Sequence, residues 1–180
     1  GTADPLALAM LACYQPIYAT SLNATSLAIL RNTPALQPLL ALYQAFESLQ
    51  ADIARVSCLF PIQDNTSRKV QAQYEDFPYP RWQHMGDFSS AVLPVEIKHL
   101  AGTEKSILVA GCGTGLQPCL LAQHFPDCKI LAVDLTAASL AYAQTQAQAL
   151  GFSNITFRQA DILALDQLTD TFDYISCFGV

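Results

Sequence analysis

Ile107-Leu-Val-Ala-Gly-Cys-Gly-Thr-Gly115 is an apolar run that breaks into alternating glycines. Ile107 to Ala110 are β-favouring or small apolar residues and read as a buried parallel strand. Gly111, Gly113 and Gly115 let the backbone turn sharply and approach a ligand without Cβ clashes. The residues after Gly115 read as helical, so the glycines sit where a strand hands over to a helix N-terminus. The N–H groups and positive dipole end at such a point favour an anionic or polar ligand. The stretch is a nucleotide-type binding loop, and its company decides which nucleotide.

A dinucleotide fingerprint spaces its glycines G-x-G-x-x-G. Here the spacing is G-x-G-x-G, and Leu116 stands where the third dinucleotide glycine would be. Three more runs read as strands: Ile130-Leu-Ala-Val-Asp134, Ile155-Thr-Phe-Arg-Gln-Ala-Asp161 (followed by Ile162), and Phe172-Asp-Tyr-Ile-Ser-Cys-Phe-Gly179. Thr136 reads as the cap of a helix from about Ala137 to Leu150, with Gly151 suited to its C′ position. Polar residues where strands end, along one edge of an α/β sheet, are where doubly wound folds bind ligands. An isolated Asp after a strand is also a common turn former, and for Asp161 both readings stay open. Asp173 reads as a strand-entry residue.

The loop and its followers resemble the class I S-adenosylmethionine (SAM) methyltransferases, whose first motif is an acidic residue, any residue, then G-x-G-x-G. The resemblance covers Ile107 to Val180. It implies an α/β, Rossmann-like fold with SAM as cofactor, and it carries over residue by residue. Gly111, Cys112, Gly113, Thr114 and Gly115 form the cofactor loop. Asp134, with Leu135 beside it, offers a carboxylate to both ribose hydroxyls of an adenosine cofactor. The Asp161 side chain and the Ile162 backbone N–H face the adenine edge, and Cys177 to Gly179 reach the same rim. One position departs: Val109 stands where the acidic residue that helps to hold the SAM amino group is usual.

Upstream, Gln73-Tyr-Glu-Asp-Phe-Pro-Tyr-Pro-Arg-Trp82 is a stiff, aromatic connector, because Pro78 and Pro80 bias their preceding residues toward extended conformations. Either it is a strap whose Phe77, Tyr79 and Trp82 pack against the sheet, or it is a lid. As a lid, its aromatics would face the cofactor and Arg81 would pair with a carboxylate. The stretch resembles the "Y-E-x-x-P-Y-P-R-W" segment of methyltransferases that carry tetratricopeptide repeats upstream. That group commonly lacks the acidic residue too, which makes Val109 a subfamily trait.

Before the connector, Leu6, Met10, Cys13 and Ile17 recur at helical spacing, and Leu36, Leu39, Leu40, Tyr43, Phe46 and Leu49 do so more clearly. Pro34 and Pro38 suit the first turn of that second helix. A further helix is expected through Val92 to Leu100, and no strand before Ile107. The expected organisation is a helical region at 1–72, the connector and a helix at 73–100, and the N-terminal half of a SAM-binding methyltransferase domain at 101–180.

Composition bounds the partners. Of 180 residues, 52% are hydrophobic and 13% charged, which supplies core material and argues against disorder. A net charge of −6 disfavours sequence-independent binding to nucleic-acid phosphates. Apolar stretches are interrupted before the ~18 residues a membrane helix needs. The first basic residue is Arg31, so no secretory signal is expected and the reading is cytoplasmic. Cys13, Cys58, Cys112, Cys119, Cys128 and Cys177 contain no C-x-x-C pair and match no zinc spacing. They read as buried small hydrophobes, and no metal is expected.

The resembled domain has seven strands and only four are placed, so the C-terminal part is expected to be missing and the chain alone inactive. An open edge would then drive self-association. The expected function is SAM-dependent methyl transfer to an acceptor that resemblance makes a protein or peptide, with no general base identified. Two rivals stand beside it. One is a non-catalytic methyltransferase-like module that binds a partner, which Val109 favours. The other is an NAD-dependent oxidoreductase, since Asp134 would serve an NAD ribose equally well; Leu116 and Asp161-Ile162 count against it.

Overall fold

The computed structural model describes residues 4–15, 17, 22–75, 80, 82, 85 and 95–180. The chain divides into two compact units, 1–51 and 52–180.

The first unit is helical. Helix α1 (Pro5–Tyr14) starts behind Asp4, whose carboxylate accepts from the Leu6 N–H. Helix α2 (Ala24–Asn32), which the periodicity did not reveal, is capped by the Asn23 side chain on the Ser26 N–H at 2.8 Å. A 3₁₀ turn, Pro34–Leu36, leads into α3 (Gln37–Ile53), with Pro38 in its first turn as expected. Leu8, Leu30, Leu36 and Leu40 form the core of this unit. Of the stripe Leu6, Met10, Cys13 and Ile17, the first three are exposed and only Ile17, past the helix, is buried, while Leu8 is the buried residue of α1. That helix is apolar on nearly every side, so spacing could not choose its inner face.

The second unit is built on a four-stranded, all-parallel sheet in the order β3-β2-β1-β4. The strands are β1 (Ser106–Ala110), β2 (Lys129–Asp134), β3 (Ile155–Gln159) and β4 (Tyr174–Cys177), each within the stretch read as a strand or one residue from it. Helix α5 (Leu116–His124) connects β1 to β2, and α6 (Ala137–Ala149) connects β2 to β3. Strand β1 is central and buried on both faces, as its unbroken apolar run requires. Ile107 and Val109 pack with Cys119, Phe125, Leu140 and Ala143 on one face. Leu108 and Ala110 pack with Val133 and Ala160 on the other, covered by Leu59, Leu165, Leu168 and Phe172. This is the Rossmann-like α/β arrangement that the glycine run implied.

Several local expectations are corrected. Residues 92–94 lie outside those described, and Val95–Leu100 is a 3₁₀ helix rather than an α-helix. The Thr103 hydroxyl and N–H both close on the Leu100 carbonyl there, with Gly102 at φ +69° making the turn. Helix α4 (Asn65–Glu75) takes in the first three residues of the expected connector. Its start is set by Asp64, whose carboxylate accepts from the Ser67 N–H at 2.8 Å. Residues 57–59 also add to the sheet: the Leu59 N–H donates to the Gln159 carbonyl and the Gln159 N–H to the Ser57 carbonyl. That short pairing covers the outer edge of β3 at its last residue, Gln159. Asp173 stands before β4 as expected, accepting from the Ser106 N–H and from Lys105 Nζ, both at 2.9 Å.

The cysteines divide. Cys112, Cys119 and Cys128 are buried, but Cys13, Cys58 and Cys177 are exposed, contrary to the reading of all six as buried hydrophobes. Among the described residues no cluster suited to a metal ion occurs, and no helix is long and apolar enough to cross a membrane.

Candidate functional site

The chain runs outward from β1 through β2 to β3 and then returns to the other side of β1 as β4. The carboxyl ends of β1 and β4 therefore flank a topological switch point, the place where open parallel sheets leave a crevice. The glycine loop, Gly111 to Gly115, follows β1 at that point. Asp134 ends β2, Asp161 follows β3, and Cys177 ends β4 opposite Ala110. The topology thus brings the glycines, both carboxylates and Cys177 to one edge of the sheet.

The loop is preset by its own hydrogen bonds. The N–H groups of Gly111 and Cys112 both donate to the Val133 carbonyl at 2.9 Å, and the Gly115 N–H donates to the Cys112 carbonyl. The Gly113 N–H donates to Asp134 Oδ2 at 2.8 Å. Two glycines have distinct reasons to be glycine. Gly115 has φ +84°, and a Cβ there would lie 2.5 Å from the Ala143 Cβ and 3.1 Å from its Cα. Helix α6 can reach the loop only because that Cβ is missing. Gly113 has φ +52° and nothing within 4 Å of where its Cβ would point, so it borders open space.

Asp134 is half-buried and organises the end of β2. Besides the Gly113 N–H, it accepts the Thr136 N–H at 3.0 Å and the Thr136 hydroxyl at 2.9 Å, both on Oδ1. The Thr136 side chain is thereby turned to Asp134 and does not cap α6, contrary to the sequence reading. Glu75 at the end of α4 reaches across instead, its Oε1 accepting the Ala138 N–H at 3.1 Å. A carboxylate at this helix N-terminus also suits the dipole. The Leu135 carbonyl is braced by Gln159 Nε2 at 2.9 Å.

Asp161 is 5% exposed and caps the 3₁₀ helix Ile162–Gln167 through the Leu163 N–H at 3.0 Å. Its turn-forming role is therefore realised, while Ile162 is exposed beside it. The Cys112 thiol is held well above its usual range by burial and by the nearby Asp134 charge. Burial alone pushes Cys119 up to about 12. Both stay protonated packing groups at neutral pH. Val109 is 0% exposed within the apolar cluster, so position 109 contributes no charge to the loop. Of the expected lid, Tyr79 and Arg81 lie outside the described residues. Trp82 is buried in the core of the unit, with its indole N–H on the Thr114 carbonyl at 2.9 Å.

Glu75, Thr136 and Gln159 are residues around the site that the sequence does not mark. Each acts through a partner distant in sequence or through a choice between two acceptors, so no local pattern marks them. A Gln117–Ser176 hydrogen bond of 2.8 Å at the mouth of the β1–β4 crevice was likewise invisible.

Residues 102–180 match the family model described as "Methyltransferase domain". An uncharacterized protein of Synechococcus sp. is 31% identical over 142 residues, 71% of this chain and 33% of that protein. The malonyl-[acyl-carrier protein] O-methyltransferase of Paenibacillus sp. is 40% identical over 81 residues, 42% of this chain and 29% of that enzyme. The chain therefore spans about a third of the length of these relatives. Among solved structures, magnesium protoporphyrin IX methyltransferase of Synechocystis, which contains bound SAM, superposes with a TM-score of 0.45 at 20% identity, covering 66% of this chain and 64% of that one.

Proposed function

We propose that residues 101–180 bind S-adenosylmethionine and that the protein takes part in SAM-dependent methyl transfer. The observation that carries this is the hydrogen bond between Gly113 and Asp134, which joins a strand-end carboxylate to a glycine loop at the switch point of a parallel sheet. A carboxylate has roughly four acceptor directions, and Asp134 uses three of them within the chain. One remains, which serves a single ribose hydroxyl rather than the two expected from the sequence. The open space beyond Gly113 accommodates close approach of a ligand to the loop. These features fit an adenosine cofactor, and the methyltransferase-domain match over 102–180 supports SAM over NAD.

Bound SAM would supply a methyl group on a sulfonium, transferred to an acceptor nucleophile as the sulfur leaves. The contribution of this chain is binding and alignment. Asp134 orients the ribose, the glycine loop sets the depth of the cofactor, and Asp161 with Ile162 lies at the adenine end. Position 109 offers no charge, so the cofactor's amino group depends on acceptors elsewhere. We take the acceptor to be a protein or peptide, on the resemblance of residues 73–82 to enzymes with upstream tetratricopeptide repeats.

Calorimetric titration with SAM, S-adenosylhomocysteine and NAD tests the reading. Binding of both sulfur cofactors, with none of NAD, is the expected result. Heat with NAD alone would overturn it. Transfer of labelled methyl from SAM to protein in a mixed acceptor pool then tests the acceptor class.

A further inference from the structure

Three consecutive loop residues are each held by a different part of the unit. Gly113 is held from β2 by Asp134, and Gly115 is pressed against α6 at Ala143. Thr114, between them, is held by neither. Its carbonyl accepts the Trp82 indole N–H at 2.9 Å, and its hydroxyl donates to the Pro80 carbonyl at 2.6 Å. Tyr142 on α6 in turn donates its hydroxyl to the Trp82 carbonyl, and the two rings meet edge to face with centroids 6.4 Å apart. Both Trp82 and Thr114 are buried.

Flanked by two glycines, Thr114 has little stiffness of its own. The bonds from the upstream strap select one of the conformations that the glycines permit. A buried indole N–H needs an acceptor, and a buried carbonyl and hydroxyl need partners. The strap and the loop therefore satisfy each other, and disturbing one leaves buried polar groups on the other.

We propose that Trp82 is a positioning residue for the cofactor: by holding Thr114 it fixes the middle of the glycine loop, so that the seating of Trp82 and cofactor binding are thermodynamically linked. The linkage is reciprocal, since a ligand that favours the held loop must equally favour the seated Trp82. The cofactor part of this claim rests on the SAM reading above, whereas the loop-holding part does not.

Trp82 is the only tryptophan of the chain, so its fluorescence reports this contact without labelling. The 180-residue protein, Trp82→Phe and Thr114→Val are compared, the first change keeping a ring without the N–H and the second keeping volume without the hydroxyl. Amide exchange at Gly113 to Gly115 is followed without ligand, and S-adenosylhomocysteine is titrated by calorimetry and, in the proteins that keep Trp82, by its emission. Faster loop exchange is expected in both variants. Wild-type emission should move with the calorimetric midpoint. Affinity in the variants should fall by about 3- to 10-fold, the equivalent of one net hydrogen bond. Should Trp82→Phe fail to fold by circular dichroism, Tyr142→Phe, which removes the hydroxyl that holds the Trp82 carbonyl, carries the comparison. Lower melting temperatures with unchanged loop exchange and unchanged affinity would make Trp82 a core residue only and overturn the proposal. Faster exchange in the variants with no binding even by the wild type would instead overturn the SAM reading and leave the loop-holding role standing.

Discussion

The Asp134 carboxylate accepts the Gly113 amide at 2.8 Å, fastening the end of one strand to the loop that follows its neighbour. The same carboxylate also holds Thr136, so a single side chain sets both the loop and the approach to α6. Removing it should have two effects that different measurements separate.

Asp134→Ala is expected to weaken SAM binding by about 1–3 kcal/mol, the cost of a lost charged hydrogen bond. It should also lower the melting temperature, because the Gly113 N–H and the Thr136 hydroxyl lose their acceptor. Calorimetry reads the first effect and thermal melting the second. Unchanged affinity would remove Asp134 from the site.

Gly113→Ala and Gly115→Ala should fail in different ways. Both positions have positive φ, which costs a side chain roughly 1–2 kcal/mol. At Gly113 the added Cβ meets nothing, so the protein should fold and lose cofactor affinity. At Gly115 the Cβ would stand 2.5 Å from the Ala143 Cβ, adding an overpacking cost of about 1–3 kcal/mol. Equal melting temperatures for the two variants would contradict the packing of α6 on the loop.

Asp173 lies below its ordinary value of 3.8 because it accepts the Ser106 N–H and the Lys105 ammonium. A depressed folded value means that its contribution is present above the unfolded value and fades as pH falls through the folded one. Asp173→Asn should therefore be less stable than the wild type at neutral pH, the gap closing below about pH 3.8. Urea denaturation across pH 7 to 2.5 checks this, and a gap that widens in acid would refute it.

Among the described residues β4 pairs only with β1, and Ile175, Phe178 and Val180 are exposed on or just past it. Phe178 is 82% exposed. An unpaired edge beside exposed apolar residues is prone to association. The 180-residue chain is expected to self-associate in solution, and Ile175→Lys to reduce the association. A monomer by light scattering at all accessible concentrations would exclude this.

Strands β1 and β2 were legible because a parallel strand buried on both faces has to be apolar along its length, and Ile107–Ala110 and Ile130–Val133 show that directly. Strand β3 instead alternates, with Thr156 exposed beside the buried Phe157. Gly111, Gly113 and Gly115 mark the candidate site because few other residues tolerate positive φ. Asp134, which ends β2, and Asp161, two residues past β3, were reached because parallel strands bring their carboxyl ends to one edge. In the helical unit the stripe Leu36, Leu39, Leu40, Tyr43, Phe46 and Leu49 does mark the buried or half-buried face. In α1 the same logic ran out: that helix is apolar on nearly every side, so Leu8 rather than Leu6 and Met10 faced inward for reasons held by α2 and α3.

What only the tertiary structure decided are the polar pairings between distant segments. Thr136 could cap α6 or bond Asp134, and the outcome depended on Glu75 arriving from α4 to take the Ala138 N–H. Trp82 could pack or cover, and it packs, because a buried indole N–H found the Thr114 carbonyl. A hydrogen bond constrains geometry over about 3 Å, and that distance between residues far apart in the chain exists only after the backbone has folded. Hydrophobic periodicity is a local property and is written in order along the chain; the choice among competing acceptors is not.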